Sequence, residues 1–142
     1  MREIKFRGQR VDNKEWIYGS LVITPNEHYA IVIYSKLGEH MHPIFYEVLP
    51  ETVGQFIGLK DKNEKEIYRG DICSMSKKID MKIIVDYKDA GFGWSDKYNN
   101  LAFRGHGYLT EILKAIEVIG NKFDNPEILE EQWTKIARIA HT

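Results

Sequence analysis

Short runs of alternating apolar and polar residues dominate the first 123 positions of the chain. These runs are rich in aromatic and β-branched residues and are separated by polar segments containing Asp, Asn, Gly or Pro, a pattern typical of strands joined by turns. The clearest strands are predicted at residues 4–7, 16–23, 28–34, 82–87 and 117–123. Residues 43–50 begin and end with proline, which favours an edge strand or an irregular connection over a central strand.

The pattern changes after residue 123, where helical spacing replaces alternation. Asn125 suits an N-cap and Pro126 suits the first helical position. Apolar residues then recur on one helical face at Leu129, Trp133, Ile136, Ala137 and Ala140. We therefore predict a β domain over residues 1–123 and an amphipathic helix over residues 124–142 that packs on it. Alternatively, the Trp133 face of the helix binds another copy or a partner.

A second feature is a similarity of the chain to itself at an offset of 50 residues. The matched pairs are Phe6 with Phe56, Gly8 with Gly58, Asn13 with Asn63, Ile17 with Ile67, and Tyr18 with Tyr68. Both copies read as strand, polar turn and strand, so each predicts a hairpin. Chance similarity between two hairpins and duplication of one hairpin both explain the matches.

Composition narrows the class of protein. The chain has 142 residues, enough for one domain. Its 20 Lys and Arg against 21 Asp and Glu give a net charge of −1, which argues against a domain-wide positive field for nucleic acid. Cys73 is the single cysteine, so no intramolecular disulfide can form. The N-terminus lacks a signal-peptide core and no apolar run could span a bilayer, so we expect a cytoplasmic protein without membrane partners.

Candidate chemistry is weak throughout the sequence. His40 and His42 would share a face of a strand, but two imidazoles do not make a metal site. Asp61 and Asp71 lie in a segment with interleaved lysines, for which we expect a solvated surface. Residues 91–94 are glycine-rich but lack the context of a phosphate-binding loop. We expect no catalytic residue, no metal and no cofactor.

The long central stretch from residue 46 to residue 72 resembles the signature of the YopX family, small proteins of bacteriophages and prophages. The resemblance continues in residues 1–7, 91–94, 116–121 and 125–127. It implies a mainly β protein with an SH3-like small barrel or roll, here with extra strands and a C-terminal α-helix. It implies no activity, because the family is uncharacterised and has no catalytic residues to transfer.

The sequence departs from the family pattern at two positions. Glu64 stands where members usually have a turn glycine, and Arg69 stands where an acidic residue is common. Without the glycine, Asn63 is predicted to be the turn residue with positive φ.

These observations favour a non-enzymatic binding or assembly module of phage or prophage type, with a protein partner or a second copy of the chain. The predicted interaction surface consists of Lys60, Lys62, Asn63, Phe92, Trp94 and Trp133. The alternative is a nucleic-acid-binding small β-barrel, in which aromatic rings stack on bases and basic side chains bind phosphates. Its basic residues would be Arg2, Lys5, Arg7, Lys60 and Lys62.

Overall fold

A computed structural model of the protein describes residues 3–74, 82–88, 91–95, 101–103 and 115–130. The chain divides into two compact units, Met1–Gly58 and Leu59–Thr142. The division that the sequence predicts, a β domain over residues 1–123 and a helix over residues 124–142, remains a prediction. Residues 131–142, including Trp133, lie outside the described residues.

The described residues are mainly β, as the sequence predicts. The strands are β1 Phe6–Gln9, β2 Trp16–Ile23, β3 Tyr29–Leu37, β4 His40–Glu47, β5 Gly54–Lys60, β6 Glu66–Tyr68, β7 Asp71–Ser74, β8 Lys82–Lys88, β9 Gly91–Ser95, β10 Leu101–Phe103 and β11 Glu117–Asn121. A 3-10 turn, Pro50–Thr52, precedes β5. The alternation of residue types therefore located most strands, although β1 begins two residues later than predicted.

One sheet has the strand order β4-β3-β2-β1-β5-β6. Its hairpins β1–β2, β2–β3 and β3–β4 are antiparallel, as is the pairing of β1 with β5. β3, at the strand predicted for residues 28–34, is internal to the sheet. β4 contains Pro43 and lies at the edge of the sheet, where a strand tolerates the loss of one N–H donor.

β2 changes its partner near its middle, at Gly19. Residues 16–19 are in register with β1, and residues 20–23 are in register with β3. A Cβ atom on Gly19 would lie 2.4 Å from the carbonyl oxygen of Val32. The absence of a side chain at this position therefore lets the backbone of β3 approach β2 closely.

The other sheet has the order β10-β9-β8-β7-β11. It contains the antiparallel pair β9–β10 and the predicted strands at residues 82–87 and 117–123. Over the described residues neither sheet closes on itself, so the SH3-like barrel is not confirmed.

Residues 126–130 are helical, and Asn125 precedes them as predicted. The Asn125 side-chain oxygen accepts a hydrogen bond from the N–H of Asn121 at 3.3 Å. A Cβ atom on Gly120 would lie 2.5 Å from that oxygen, so the Asn125 side chain occupies the space left by the glycine. The start of the helix is thereby held against β11.

Each unit contains buried apolar residues. In Met1–Gly58 they are Ile31, Val32, Val48, Phe56 and Ile57. In Leu59–Thr142 they are Ile67, Tyr68, Ile72, Cys73, Ile83, Val85, Ile116 and Val118. Cys73 is fully buried on β7.

We expect Gly19→Ala to lower the free energy of unfolding by about 2 kcal/mol, because the new methyl group would meet a backbone oxygen that cannot move without breaking the register. Urea denaturation monitored by circular dichroism measures the change. Ser20→Ala, at the next and exposed position of β2, is the control and should change stability by less than about 0.5 kcal/mol. Equal effects of the two substitutions would contradict the proposed close approach.

Candidate interaction surface

The polar turn between β5 and β6, predicted as part of the interaction surface, is organised by Asp61. Its Oδ1 accepts hydrogen bonds from the N–H groups of Asn63 and Lys65, at 2.8 and 3.0 Å. Its Oδ2 accepts one from the N–H of Val118 on β11, at 2.9 Å. The Asp61 side chain therefore closes its own turn and joins that turn to β11.

Asp61 is buried, and so is Asp71, whose Oδ2 accepts the N–H of Tyr68 at 2.7 Å. The expectation of a solvated acidic surface is therefore wrong for these two residues. Burial favours the neutral acid and would raise the pKa of Asp61. The N–H groups of Val118, Lys65 and Asn63, with the charge of Lys65, outweigh burial and hold that pKa below its usual value.

Two of the predicted surface residues contact β11 from the same turn. The Nζ of Lys62 lies 3.6 Å from Glu117 Oε2, and the Asn63 amide donates to Glu117 Oε1 at 3.3 Å. The Lys62 N–H also donates to the carbonyl of Ile116 at 3.1 Å. Lys62 and Asn63 thus help to attach the turn to β11, whereas Lys60 is exposed at the end of β5.

The residue with positive φ in this turn is Glu64, at φ 64°. The prediction that Asn63 takes this conformation is therefore wrong. Asn63 instead uses its N–H to bind Asp61 and its side chain to bind Glu117. Glu64 consequently adopts a left-handed conformation that a glycine would adopt with less strain.

The similarity at an offset of 50 residues corresponds to two hairpin turns with a shared backbone feature. Lys14, in the turn between β1 and β2, has φ 63°, and Glu64, its counterpart, has φ 64°. The backbone hydrogen bonds of the two turns differ, since the Arg10 N–H donates to the Glu15 carbonyl five residues on and the Asp61 N–H donates to the Lys65 carbonyl four residues on. The repeated sequence pattern therefore marks a repeated positive φ, in turns of different length.

The remaining predicted surface residues are not brought to this turn by any described contact. In the backbone register of the β8–β9 ladder, Phe92 is paired with Tyr87 and Trp94 with Val85. Trp133 lies outside the described residues. The structure therefore groups Lys60, Lys62 and Asn63 at one turn, whereas Phe92 and Trp94 belong to β9.

Basic residues near the N-terminus contact neighbouring acids and rings. Arg7 is buried, and its guanidinium lies 4.7 Å from the ring centre of Trp16. Lys5 lies 3.6 Å from the carboxylate of Glu3. A buried Arg7 is not placed to contact a nucleic-acid backbone.

Sequence reasoning missed a cluster of large apolar side chains on one face of β2, β3 and β4. Among these residues, Tyr34, Phe45 and Met41 are 62 %, 61 % and 58 % exposed. We call this cluster the aromatic face, and its members are Tyr18, Val22, Tyr34, Met41 and Phe45. Monomeric proteins rarely expose a large contiguous apolar patch, so such a patch marks an interaction site.

The strand register shows that these side chains share one face. Phe45 is directly opposite Val32 in the β3–β4 pair, and Tyr34 is opposite Pro43. Directly paired residues point to the same side of a sheet, as do residues two apart on one strand. Met41 lies two residues before Pro43 and therefore joins the same face.

The sequence signal for this face lies in β4, which has apolar residues on both of its faces. Met41 and Phe45 are on one face, whereas Ile44 and Tyr46 are on the other. A strand that is half buried usually alternates apolar and polar residues. An edge strand that is apolar on both faces therefore indicates a second contact surface.

Other types of site have less support in the described part of the chain. The rings of His40 and His42 are 6.5 Å apart, and no group of three potential metal ligands is found in the described ranges. Within those ranges, no helix has the length and apolar character needed to cross a bilayer.

Together these features define a mainly β protein that presents an apolar sheet face. The model of the YopX protein family matches residues 5–130, and the chain belongs to this family. The chain is also similar to the crystal structure of protein EF1440 from Enterococcus faecalis, with a TM-score of 0.62 and 22 % sequence identity. That similarity covers 91 % of this chain and 99 % of EF1440, and at this identity it shows the fold alone. No curated protein matches the sequence significantly.

Asp61→Asn should destabilise the protein by about 2–3 kcal/mol at pH 7, because an amide has one acceptor atom where the carboxylate accepts three N–H groups. The folded-state pKa of Asp61 is lowered, so its stabilisation is present above the ordinary pKa and is lost as pH falls through the folded value. The difference between wild type and variant should therefore shrink under acid conditions. Urea unfolding at pH 7 and pH 3 tests this.

The control for this comparison is Asp12→Asn, which removes an exposed carboxylate that accepts hydrogen bonds from Arg10. We expect little change in stability at pH 7, since exposed ion pairs contribute little. If Asp12→Asn destabilised the protein as much as Asp61→Asn, the role assigned to the buried carboxylate would be wrong.

Glu64→Gly should stabilise the protein by about 0.5–1 kcal/mol, because relief of left-handed strain exceeds the entropic cost of glycine. Thermal and urea unfolding measure the gain. Lys65→Gly, in the same turn but without positive φ, should instead lower stability. A loss of stability in both variants would contradict the assignment of strain to Glu64.

Proposed function

We propose that the protein is a non-enzymatic binding or assembly module of phage or prophage type that acts in the cytoplasm of the bacterial host. Its contact surface is the aromatic face of β2, β3 and β4. The observation on which this rests is the exposure of five large apolar side chains on one face of three neighbouring strands.

The size of the aromatic face supports binding to a macromolecule. Its three rings together expose about 340 Å², taking about 200 Å² for each whole side chain. Burial of that area would contribute about 8 kcal/mol at about 25 cal/mol per Å². Association costs at least about 4 kcal/mol in lost freedom, so a partner must also cover surrounding residues. A protein surface can do so, whereas a small ligand on an open sheet face cannot.

The use of the buried acids supports a non-enzymatic role. Asp61 and Asp71 accept backbone N–H groups, so their carboxylates stabilise turns and strand ends. A lowered pKa keeps Asp61 ionised and bound to its donors at neutral pH, which does not suit a general acid.

Family membership supports the phage or prophage assignment, since the YopX proteins that the sequence resembles come from these sources. The resemblance also implies an SH3-like barrel. The proposed contact does not require a closed barrel, because the same side chains are exposed on the face of an open antiparallel sheet. The burial of Arg7 beside Trp16 favours a protein partner over nucleic acid.

We expect a photoreactive benzoyl-phenylalanine at position 45 to form a covalent adduct with a protein in prophage-carrying cells. Phe45 is at the centre of the aromatic face, so a bound partner would lie within reach of the probe. Immunoblotting and mass spectrometry of the adduct identify the partner. The matched control places the same probe at Leu37, which is exposed on the opposite face of β3 and should give no adduct.

Two results would overturn the proposal. One is the absence of any protein adduct at position 45 in cells that express the protein. The other is the same set of adducts at positions 45 and 37, which would indicate random collision rather than a defined surface.

A further inference from the structure

We infer that the aromatic face binds a second copy of this chain, so that two sheets pack face to face around a two-fold axis. This inference rests on the proposed function, because it names the partner of the same surface. Two-fold dimers use one patch on both copies, so the patch must be complementary to itself. The charges and the apolar residues of the aromatic face both meet that requirement.

Opposite charges lie at the two ends of the face. Lys36 is exposed and paired with Met41 at one end, and Glu47 is exposed and paired with Ala30 at the other. The two pairs are six residues apart along β3, or about 20 Å. Glu47 Oε1 lies 2.9 Å from His28 Nδ1, which holds the carboxylate at its end of the face. The face is therefore positive at one end, apolar in the middle and negative at the other.

A two-fold axis across the strands, between the Val32–Phe45 pair and the Tyr34–Pro43 pair, superimposes these features in reverse order. Phe45 of one copy then lies over the exposed Pro43 of the partner subunit, and Tyr34 lies over the position of the partner's Val32, which is itself buried. Aromatic and apolar surfaces meet in the middle, where burial stabilises association most.

The same axis brings the positive end of each copy to the negative end of the other. The Lys36–Met41 pair of each copy then lies over the partner's Ala30–Glu47 pair, so Lys36 lies one strand away from the partner's Glu47, within reach of its long side chain. Two ion pairs form at the rim, where complementary charges fix orientation and register. Rotation of one copy by half a turn within the interface plane would instead bring like charges together.

Face-to-face packing also agrees with the structure of the sheet edge. β4 is the edge strand, but Pro43 lies within it and has no N–H to donate. A proline in an edge strand opposes the addition of another strand. The exposed apolar area of this unit is on the face of the sheet, and sheet faces pack at about 10 Å separation.

The extent of the face predicts a weak dimer. Its rings, together with Met41, Val22 and the rim residues, would bury less than the roughly 800 Å² per partner of a standard interface. We therefore expect a monomer–dimer equilibrium with a dissociation constant on the order of micromolar to tens of micromolar, as for other small interfaces.

Analytical ultracentrifugation of the purified protein over a wide concentration range measures this equilibrium. Phe45→Ser and Tyr34→Ser should each weaken dimerisation by at least about tenfold, the effect expected for a central aromatic contact. Leu37→Ser is the matched control, because Leu37 is 66 % exposed on the opposite face of β3. It should leave the dissociation constant unchanged, and circular dichroism verifies that all three variants are folded.

Charge reversal tests the geometry. Lys36→Glu alone and Glu47→Lys alone should each weaken self-association by about tenfold, because each variant places like charges at both rim contacts. A 1:1 mixture of the two variants restores both pairs in a heterodimer and should recover wild-type affinity. Recovery on mixing distinguishes contacts between copies from effects within one copy.

A protein that remains monomeric to hundreds of micromolar overturns the dimer, as does a dimer that Phe45→Ser does not weaken. Failure to recover affinity on mixing overturns the two-fold arrangement. The photocrosslinking experiment at position 45 distinguishes failure of the dimer from failure of the proposed binding function. An adduct with a different protein, from a chain that is monomeric in solution, removes the second copy but retains the binding module.

Discussion

The conformation of the turn between β5 and β6 depends on the hydrogen bonds that the Asp61 carboxylate accepts. Residues 61–65 follow β5 and contain no glycine, and two backbone hydrogen bonds, from Asp61 N–H to the Lys65 carbonyl and from Glu64 N–H to the Asp61 carbonyl, close the turn. Asp61 supplies two hydrogen bonds within the turn and a third to Val118 on β11. Because β11 pairs with β7, one buried side chain connects the turn to the edge of a five-stranded sheet.

The same dependence on specific polar contacts recurs at the other end of β11. Gly120 has no side chain, and Asn125 occupies the space beside it while its oxygen accepts the Asn121 N–H. The β7–β11 register shifts between Val118 and Gly120, as expected for a bulge. Both ends of this short strand are therefore held by side-chain oxygens bound to backbone N–H groups, in addition to the ladder.

Alternation of apolar and polar residues predicted most strands, because a strand with one buried face and one exposed face needs that alternation. The prolines around residues 43–50 also indicated the edge position of β4, since a missing donor is tolerated there. The burial of Asp61 among lysines was not predictable from spacing, because its third donor, Val118, is 57 residues away. The repeat shows the same limit, since Tyr18 is 45 % exposed and its counterpart Tyr68 is buried. Local conformation follows local sequence, whereas burial depends on what packs against each strand.

This difference explains why the aromatic face was missed and why it indicates a partner. β4 has apolar side chains on both of its faces, and the sheet can bury only one of them within the chain. The apolar side chains on the other face must therefore stay in water or be covered by a partner. Ile44 and Tyr46 are half-buried, whereas Phe45 and Met41 are exposed, so the chain itself covers only one side. Polar side chains at positions 34 and 45 would keep the protein soluble, whereas the large rings of Tyr34 and Phe45 increase the risk of aggregation. Their placement between an exposed lysine and an exposed glutamate restricts which surface can cover them. A surface that fits must carry a negative charge opposite the lysine and a positive charge opposite the glutamate. The same face of a second copy, turned around the two-fold axis, carries its charges in this reversed order.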